Sequence, residues 1–522
     1  HHVTHCCMGT SCAIADFDHN GKLTIWTQTQ YPYNYKMDLA PALGIGPGDI
    51  RVIQPPVGGA FGSKLDVYPY EPIAALLAKK TGRPVKVIYT REEEFKASPT
   101  RQAAIIHMRT GCTRDGVLTF RSADVLLDNG AYTSWGPTIP VIMMRTTSGH
   151  YRVPVVAFEA QAIYTNNPYA GSFRGYGNVQ TTWATAQQMD MLADMVDIDP
   201  LEFHLKNAQA SGEVTPQKSF LRECVLAECL QTAAAASDYS RKRSEYAALR
   251  DAPGRYKKGI GLASSIHNAG GAKIHKSDGI GTILKIDDYA RVTVISGASE
   301  IGQGIDAVIT LIVAEELGVP LEHITLVNND SDIAPWDVGV HASRTTFIAG
   351  NGTRRAARKA KAQILAAAEK MLGVAAQDLE LRGGSVVRDA DGTPIIKLDR
   401  LLRQMHFQAV PELVMVTDYY EPKSEPEGAE HASDHSAAYA HAVHVAEITV
   451  DTLTGEIKVD KVTLAQDVGR VINRMGLEGQ VEGGIAIGLG YALSEDMRIE
   501  KGMLKNACFR DYKLITAPEM PP

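Results

Sequence analysis

Apolar and polar residues alternate along Gly21–Gln30 (GKLTIWTQTQ), and Arg51–Val57, Val85–Thr90 and Val117–Leu127 have the same strand-like pattern. Glu71–Lys80 instead spaces its apolar residues by a helical turn, and Val179–Met195 does so over a longer amphipathic stretch. Asp199 followed by Pro200 opens a further helix, the carboxylate capping it and the proline taking the first helical position, where no N–H is needed. The second half repeats the mixture, with strands across Gly281–Ser296, helices over Asp306–Leu317 and Thr353–Leu372, and strands from Ala440 to Leu464. Between Ala236 and Lys258 the chain turns charged and small, with Pro253-Gly254 near the end, and this marks a boundary between a first subdomain, 1–240, and a second, 255–522. The polar stretch Glu421–Ser436 reads as an exposed loop, and no short-period repeat is visible. The expected fold class is α+β.

A chain of 522 residues is too long for one growing core, so two or more domains are expected. The net charge of -7 is spread along the sequence without a basic stripe, which argues against nucleic acid as a partner, and no apolar stretch is long enough for a membrane helix. The 7 cysteines are sparse, with neither the spacing of a zinc ribbon nor that of an iron–sulfur run. His1, His2, His5, Cys6, Cys7 and Cys12 gather possible ligands at the start, but they do not form two spaced pairs, and a strand entrance with buried thiols is the favoured reading. No signal-peptide pattern precedes them, and the chain is expected to begin within a fold.

Four clusters of small residues stand out: Val57–Gly62 (VGGAFG), Phe173–Gly177 (FRGYG), Gly302-Gln303-Gly304, and Gly479–Gly484 (GQVEGG). Loops without Cβ atoms let backbone N–H groups approach a ligand, an anionic one above all. Taken singly each is a common tight turn, and none is a Rossmann or P-loop signature. Together, with Gln30, Gln303 and Gln480 beside them, they point to a large cofactor pocket assembled from distant segments.

The order of these motifs resembles the molybdopterin-binding region of the xanthine dehydrogenase and aldehyde oxidase family of molybdenum hydroxylases. TQTQ ending at Gln30, PPVGGAFGSK ending at Lys64, DNGAY from Asp128, GSFRGYG from Gly171, GASEIGQG from Gly297, and DVGRVIN with EGQVEGG from Asp467 occur in the family's order across essentially the whole chain. The resemblance implies two elongated mixed α/β subdomains of the aldehyde oxidase and xanthine dehydrogenase type. It also implies that Gln30, Phe61 and Arg174 stand at the reacting centre: Gln30 hydrogen-bonded to an oxygen on molybdenum, Phe61-Gly62 beside the metal, and Arg174 near its first shell. Gly59, Ala60, Gly302, Gln303, Gly304 and Gln480 would hold the pterin, and Val340, His341, Ala342, Ser343 and Thr345 would hold the pterin and its phosphate. The protein itself supplies no metal ligand in this family.

The same resemblance implies a function. The chain is expected to be part of a catalytic subunit that hydroxylates an aromatic, N-heteroaromatic or aldehyde substrate with oxygen from water. It would carry molybdopterin cytosine dinucleotide and pass electrons to separate subunits holding 2Fe-2S clusters and FAD, in the cytoplasm, within a dimer of heterotrimers. Reductive dehydroxylation of an aromatic CoA thioester, as in 4-hydroxybenzoyl-CoA reductase, and a non-catalytic cofactor scaffold stay open. Copper-containing carbon monoxide dehydrogenase is disfavoured, because no cysteine stands between His341 and Thr346. The family's glutamate base lies downstream of the strand that Tyr512-Lys513 resembles, so none is assigned here, and Glu478 and Glu482 are read as structural. In purine-oxidising members a glutamate and an arginine anchor the substrate. The matching positions read as Leu65 and, more loosely, Ala157, which predicts poor binding of a purine's polar edge. Tyr176 either stacks on a substrate ring or simply packs.

Overall fold

The computed structural model describes residues 1–270, 277–422 and 436–522. Four strands near the start form a sheet in the order Ile50–Ile53, Leu23–Thr27, Cys12–Phe17, Val85–Ile88. Leu23 and Ile25 point inward from alternate positions and are fully buried against Leu39 and Ala40 of helix Pro32–Leu43 and Ala74, Ala75 and Ala78 of helix Tyr70–Thr81. The chain leaves Leu23–Thr27, crosses over through the first helix and returns as the parallel strand Ile50–Ile53. Loops at the carboxyl ends of such parallel strands are where ligands bind in open α/β sheets.

The same plan recurs in the second half. Strands Ile280–Ile286 and Val292–Ser296 pair antiparallel, helix Ile305–Leu317 crosses over to the parallel strand Ile324–Val327, and Val414–Tyr420 pairs on the far side of the first strand. Helix Thr345–Leu372 packs on this sheet. The two units meet edge to edge. Gln54 N donates to Asn329 O at 2.8 Å and Ser331 N to Val52 O at 2.9 Å, while Arg51 makes a two-pronged contact with Asp330 at 3.1 and 2.6 Å. That contact places the carboxyl-end loops of both units side by side.

A second pair of sheets backs this arrangement. Ala104–Cys112, Leu118–Gly130 and Val155–Tyr164 form one, and Tyr256–Asn268, Tyr439–Asp451 and Ile457–Gln466 the other. Met189, Leu192, Phe203 and Leu230 from the first half share a core with Ile260, Leu262, Val443 and Val445 from the second. The segment Ala236–Lys258, expected to separate the halves, contains helix Tyr239–Ala248, and strands beyond it enter the same core as helices before it.

Several expected elements differ in extent. The helix expected from Thr353 begins at Thr345, and Gly281–Ser296 is a hairpin turning at Asp287–Arg291. Asp199 caps its helix, its side chain accepting from Leu201 N at 2.9 Å. Val3–Thr4 pairs with Thr100–Arg101, and Cys7 is buried behind it, its thiol pushed up by burial. The loop expected over Glu421–Ser436 lies, for residues 423–435, outside the described residues. Among the described residues no helix is long and apolar enough to cross a membrane.

Candidate cofactor site

Gln30 follows the strand Leu23–Thr27 and is buried where the two edge-joined units meet. Its Oε1 accepts from Gly62 N at 2.9 Å and its Nε2 donates to Val340 O at 2.7 Å. Val340 N returns a bond to Gln30 O at 2.8 Å. Both ends of this amide thus join the Val57–Gly62 loop to the Gly339–Ser343 loop. One N–H and one lone pair remain for anything else.

The Val57–Gly62 loop can run where it does because it lacks side chains at critical points. Gly62 has φ 106°, and a Cβ there would stand 2.5 Å from Ser172 O. Phe61, at φ 54°, turns its ring over Gly59, and its carbonyl accepts the Arg174 N–H at 2.9 Å. Arg174 thus has its backbone amide committed to Phe61, while its guanidinium reaches Gln480 O at 2.9 Å on helix Arg474–Leu493. Across the gap, a Cβ on Gly302 would stand 4.0 Å from Gly59 N, so the Gly302–Gly304 turn faces the Val57–Gly62 loop directly.

The Gly302–Gly304 turn departs from its expected chemistry. Glu300 accepts from the N–H groups of Gly302 at 2.7 Å, Gly304 at 3.0 Å and Asp306 at 3.1 Å, so the protein's own carboxylate fills the anion-seeking start of helix Ile305–Leu317. The Gln303 side chain closes its own loop, accepting from Ile301 N at 2.7 Å and donating to Ser299 O at 2.9 Å. These bonds fix the turn internally, and what it presents to the Val57–Gly62 loop is the bare Cα of Gly302.

On the other unit, Gly339 at φ 118° lies so close to Tyr31 that a Cβ would approach the tyrosine Cβ to 2.5 Å. Ala342 and Ser343 follow at φ 49° and 51°, a conformation that costs a non-glycine residue about 1–2 kcal/mol each. Arg344 holds the loop in place. Its buried guanidinium donates to Asp278 Oδ1 at 2.7 Å, Asp337 Oδ2 at 2.8 Å, Gly339 O at 2.9 Å and Asp278 O at 2.6 Å. Burial alone pulls Arg344 down, but the two carboxylates outweigh it and keep the group charged. His341 lies in this turn, and Thr345 opens the long helix directly behind it.

Two further cations sit behind the loops. Lys64, fully buried, donates to Val57 O at 2.9 Å, Gly59 O at 3.0 Å and Gly9 O at 3.2 Å. Arg101 donates to Arg174 O at 2.7 Å and lies 4.2 Å from the Phe173 ring centroid and 5.5 Å from that of Tyr491. Burial lowers the lysine and pushes Arg101 down to about 10. Lys64, Arg101, Glu300 and Arg344 were not singled out by sequence reasoning. Lys64, Glu300 and Arg344 stand beside small-residue turns in the sequence and Arg101 does not, and in every case a buried ion is recognised only from its neighbours in space.

The substrate-side expectations divide. Leu65 is buried beside Tyr31, Tyr35 and Tyr68, and its carbonyl accepts from Trp135 Nε1 at 2.8 Å. Tyr176 packs against Ile139 and Met143, and its hydroxyl donates to Trp135 O at 3.1 Å, so its ring and its hydroxyl are both already engaged. Ala157 sits opposite Ser122 on the edge strand Val155–Tyr164 and is exposed. Among the described residues no group of three or more His, Cys, Asp and Glu converges to hold a metal ion. The groups that do converge are glycine backbones, amides and buried cations, which fit a large anionic cofactor bringing its own metal ligands.

Comparison with known proteins agrees with that class. Residues 1–208 and 232–521 each match a molybdopterin cofactor-binding domain. The chain is 33% identical over 530 residues to a putative xanthine dehydrogenase molybdenum-binding subunit of Escherichia coli (strain K12), covering 99% of this chain and 68% of the relative. It is 28% identical to the nicotine 6-hydroxylase large subunit of Paenarthrobacter nicotinovorans, covering 99% of this chain and 64% of that one. CO dehydrogenase from Oligotropha carboxidovorans superposes with a TM-score of 0.90 at 25% identity, over 100% of this chain and 66% of that one. The chain belongs to the molybdenum hydroxylase large-subunit family, molybdenum-dependent oxidoreductases of the xanthine dehydrogenase and aldehyde oxidase type.

Proposed function

We propose that both halves, residues 1–240 and 255–522, grip one molybdopterin cytosine dinucleotide for the oxidative hydroxylation of an aromatic, N-heteroaromatic or aldehyde substrate. The observation that carries this reading is a continuous path of contacts through residues far apart in sequence: Gln480 to Arg174, Arg174 to Phe61, Gly62 to Gln30, and Gln30 to Val340. Gly59, Ala60, Phe61, Gly62, Gly302, Gly304 and the Val340–Thr345 turn would hold the cofactor. When bound, it supplies oxygen derived from water and accepts the electron pair. The chain's own part is preorganisation, because loops already fixed by hydrogen bonds need not reorganise when charge develops beside them.

Separate iron–sulfur and FAD subunits, in the cytoplasm, would take the electrons, in keeping with relatives named as subunits. A heteroaromatic substrate has the added support of a relative named for nicotine hydroxylation. Discrimination against purines rests on Leu65 and, more loosely, Ala157 standing where purine-oxidising members carry polar anchors.

Protein produced in a host that makes the cytosine dinucleotide cofactor is expected to contain molybdenum and to release a cytosine nucleotide on acid hydrolysis. Folded protein with neither would reject the reading, and a guanine nucleotide would correct the cofactor.

A further inference from the structure

Lys64 is an ammonium with no access to solvent, and its three donors meet three backbone carbonyls. Arg101 is almost as deeply enclosed, with one bond to Arg174 O and with Nε and Nη1 that find no partner among the described residues. Neither pairs with a carboxylate among the described residues. The nearest acids act on them through space without forming an ion pair: Glu94, which accepts from Ser11 N at 2.7 Å, favours the charged Lys64, and Glu495, which accepts from the Tyr512 hydroxyl at 2.6 Å, favours the charged Arg101, in neither case enough to offset burial. Burying a charge without a counter-charge is costly, and the usual remedies are pairing or neutralisation. Arg344, by contrast, meets two buried aspartates.

The two cations without an ion pair lie behind neighbouring loops. Lys64 grips the carbonyls of Val57 and Gly59 from behind one loop, and Arg101 grips the carbonyl of Arg174 from behind the next. The loops are joined at the front by the Arg174 N–H to Phe61 O bond. Positive charge is thus stored directly behind the faces that turn toward Gly302 and Gln480.

We propose that Lys64 and Arg101 are electrostatic positioning residues: the anionic cofactor adds to the counter-charge that distant Glu94 and Glu495 supply only in part, and their charge holds its loops and raises its reduction potential. This rests on the cofactor reading above. A buried positive charge stabilises the more negative, reduced form of a nearby centre, the more so where the surroundings are poorly polarisable.

Charge and hydrogen bonding can be separated by substitution. Lys64→Gln keeps N–H donors for the carbonyls but removes the charge, and Lys64→Arg keeps both. In full-length protein from a cofactor-competent host, the glutamine variant is expected to fold with the wild-type circular dichroism spectrum and retain less molybdenum after dialysis. The loss should correspond to about 10–100-fold in affinity, the usual range for groups that support metal sites from behind. Its remaining Mo(V) electron paramagnetic resonance signal should titrate at a more negative potential, and the arginine variant should recover both properties. Should the Lys64 variants misfold, Arg101→Gln against Arg101→Lys makes the same comparison on the second loop. Wild-type molybdenum content and potential in a folded neutral variant, or equal losses in the charge-preserving one, would overturn the proposal. A wild type free of molybdenum would instead reject the functional reading, and this inference with it.

Discussion

Replacing Gly62 by alanine is expected to strip the protein of molybdenum while leaving it folded. The residue sits at φ 106°, and the new Cβ would stand 2.5 Å from Ser172 O, a backbone atom that cannot swing away. Strain of this kind is of order 1–3 kcal/mol per residue and would be relieved by moving the loop. Movement breaks the Gly62 N to Gln30 Oε1 bond, and with it the link through Gln30 to Val340. Molybdenum content should fall by about tenfold or more. Gly44→Ala is the matched control: φ is 63°, but nothing lies within 4 Å of the added methyl, so it should cost about 1–2 kcal/mol of stability and leave the metal content alone. Equal metal content in both variants, by elemental analysis, would show that the Gly62 loop does not grip the cofactor.

The second large effect is expected at Arg344. Its removal as Arg344→Met leaves Asp278 and Asp337 buried without their cation, which typically costs about 3–5 kcal/mol. The left-handed pair Ala342-Ser343 loses the anchor beside it, so hydrogen exchange over residues 337–345 should accelerate along with a lower melting temperature. Lysine at this position would satisfy only part of the fork and should recover little. Unchanged exchange in that turn would show that Arg344 does not hold it.

The parts of this molecule legible in the sequence were those with local causes. Asp199-Pro200 announced a helix start because the cap and the proline act within one turn. The glycine loops were legible as a set because small residues recur in one order, although their meeting place was not. The bond between Gln30 and Val340 spans 310 positions and has no local signature.

Other features hid for identifiable reasons. The first turns of helix Thr345–Leu372 contain Gly350 and Gly352, poor helix formers that moved the expected start to Thr353. Packing explains them: a Cβ on Gly352 would stand 3.0 Å from Ile280 Cγ2, and one on Gly350 3.2 Å from Ile312 Cδ1. The duplicated unit escaped notice because the two copies share strand order and crossover rather than residues.

Anomalous scattering at the molybdenum absorption edge, from crystals of the cofactor-loaded protein, would locate the metal directly. The expected result is one peak beside the Val57–Gly62 turn, near Gln30 and Phe61, with no cysteine or histidine side chain bound to it. A peak on the thiols and imidazoles of residues 1–12 would contradict the claim that backbone loops grip a cofactor whose metal the polypeptide never ligates.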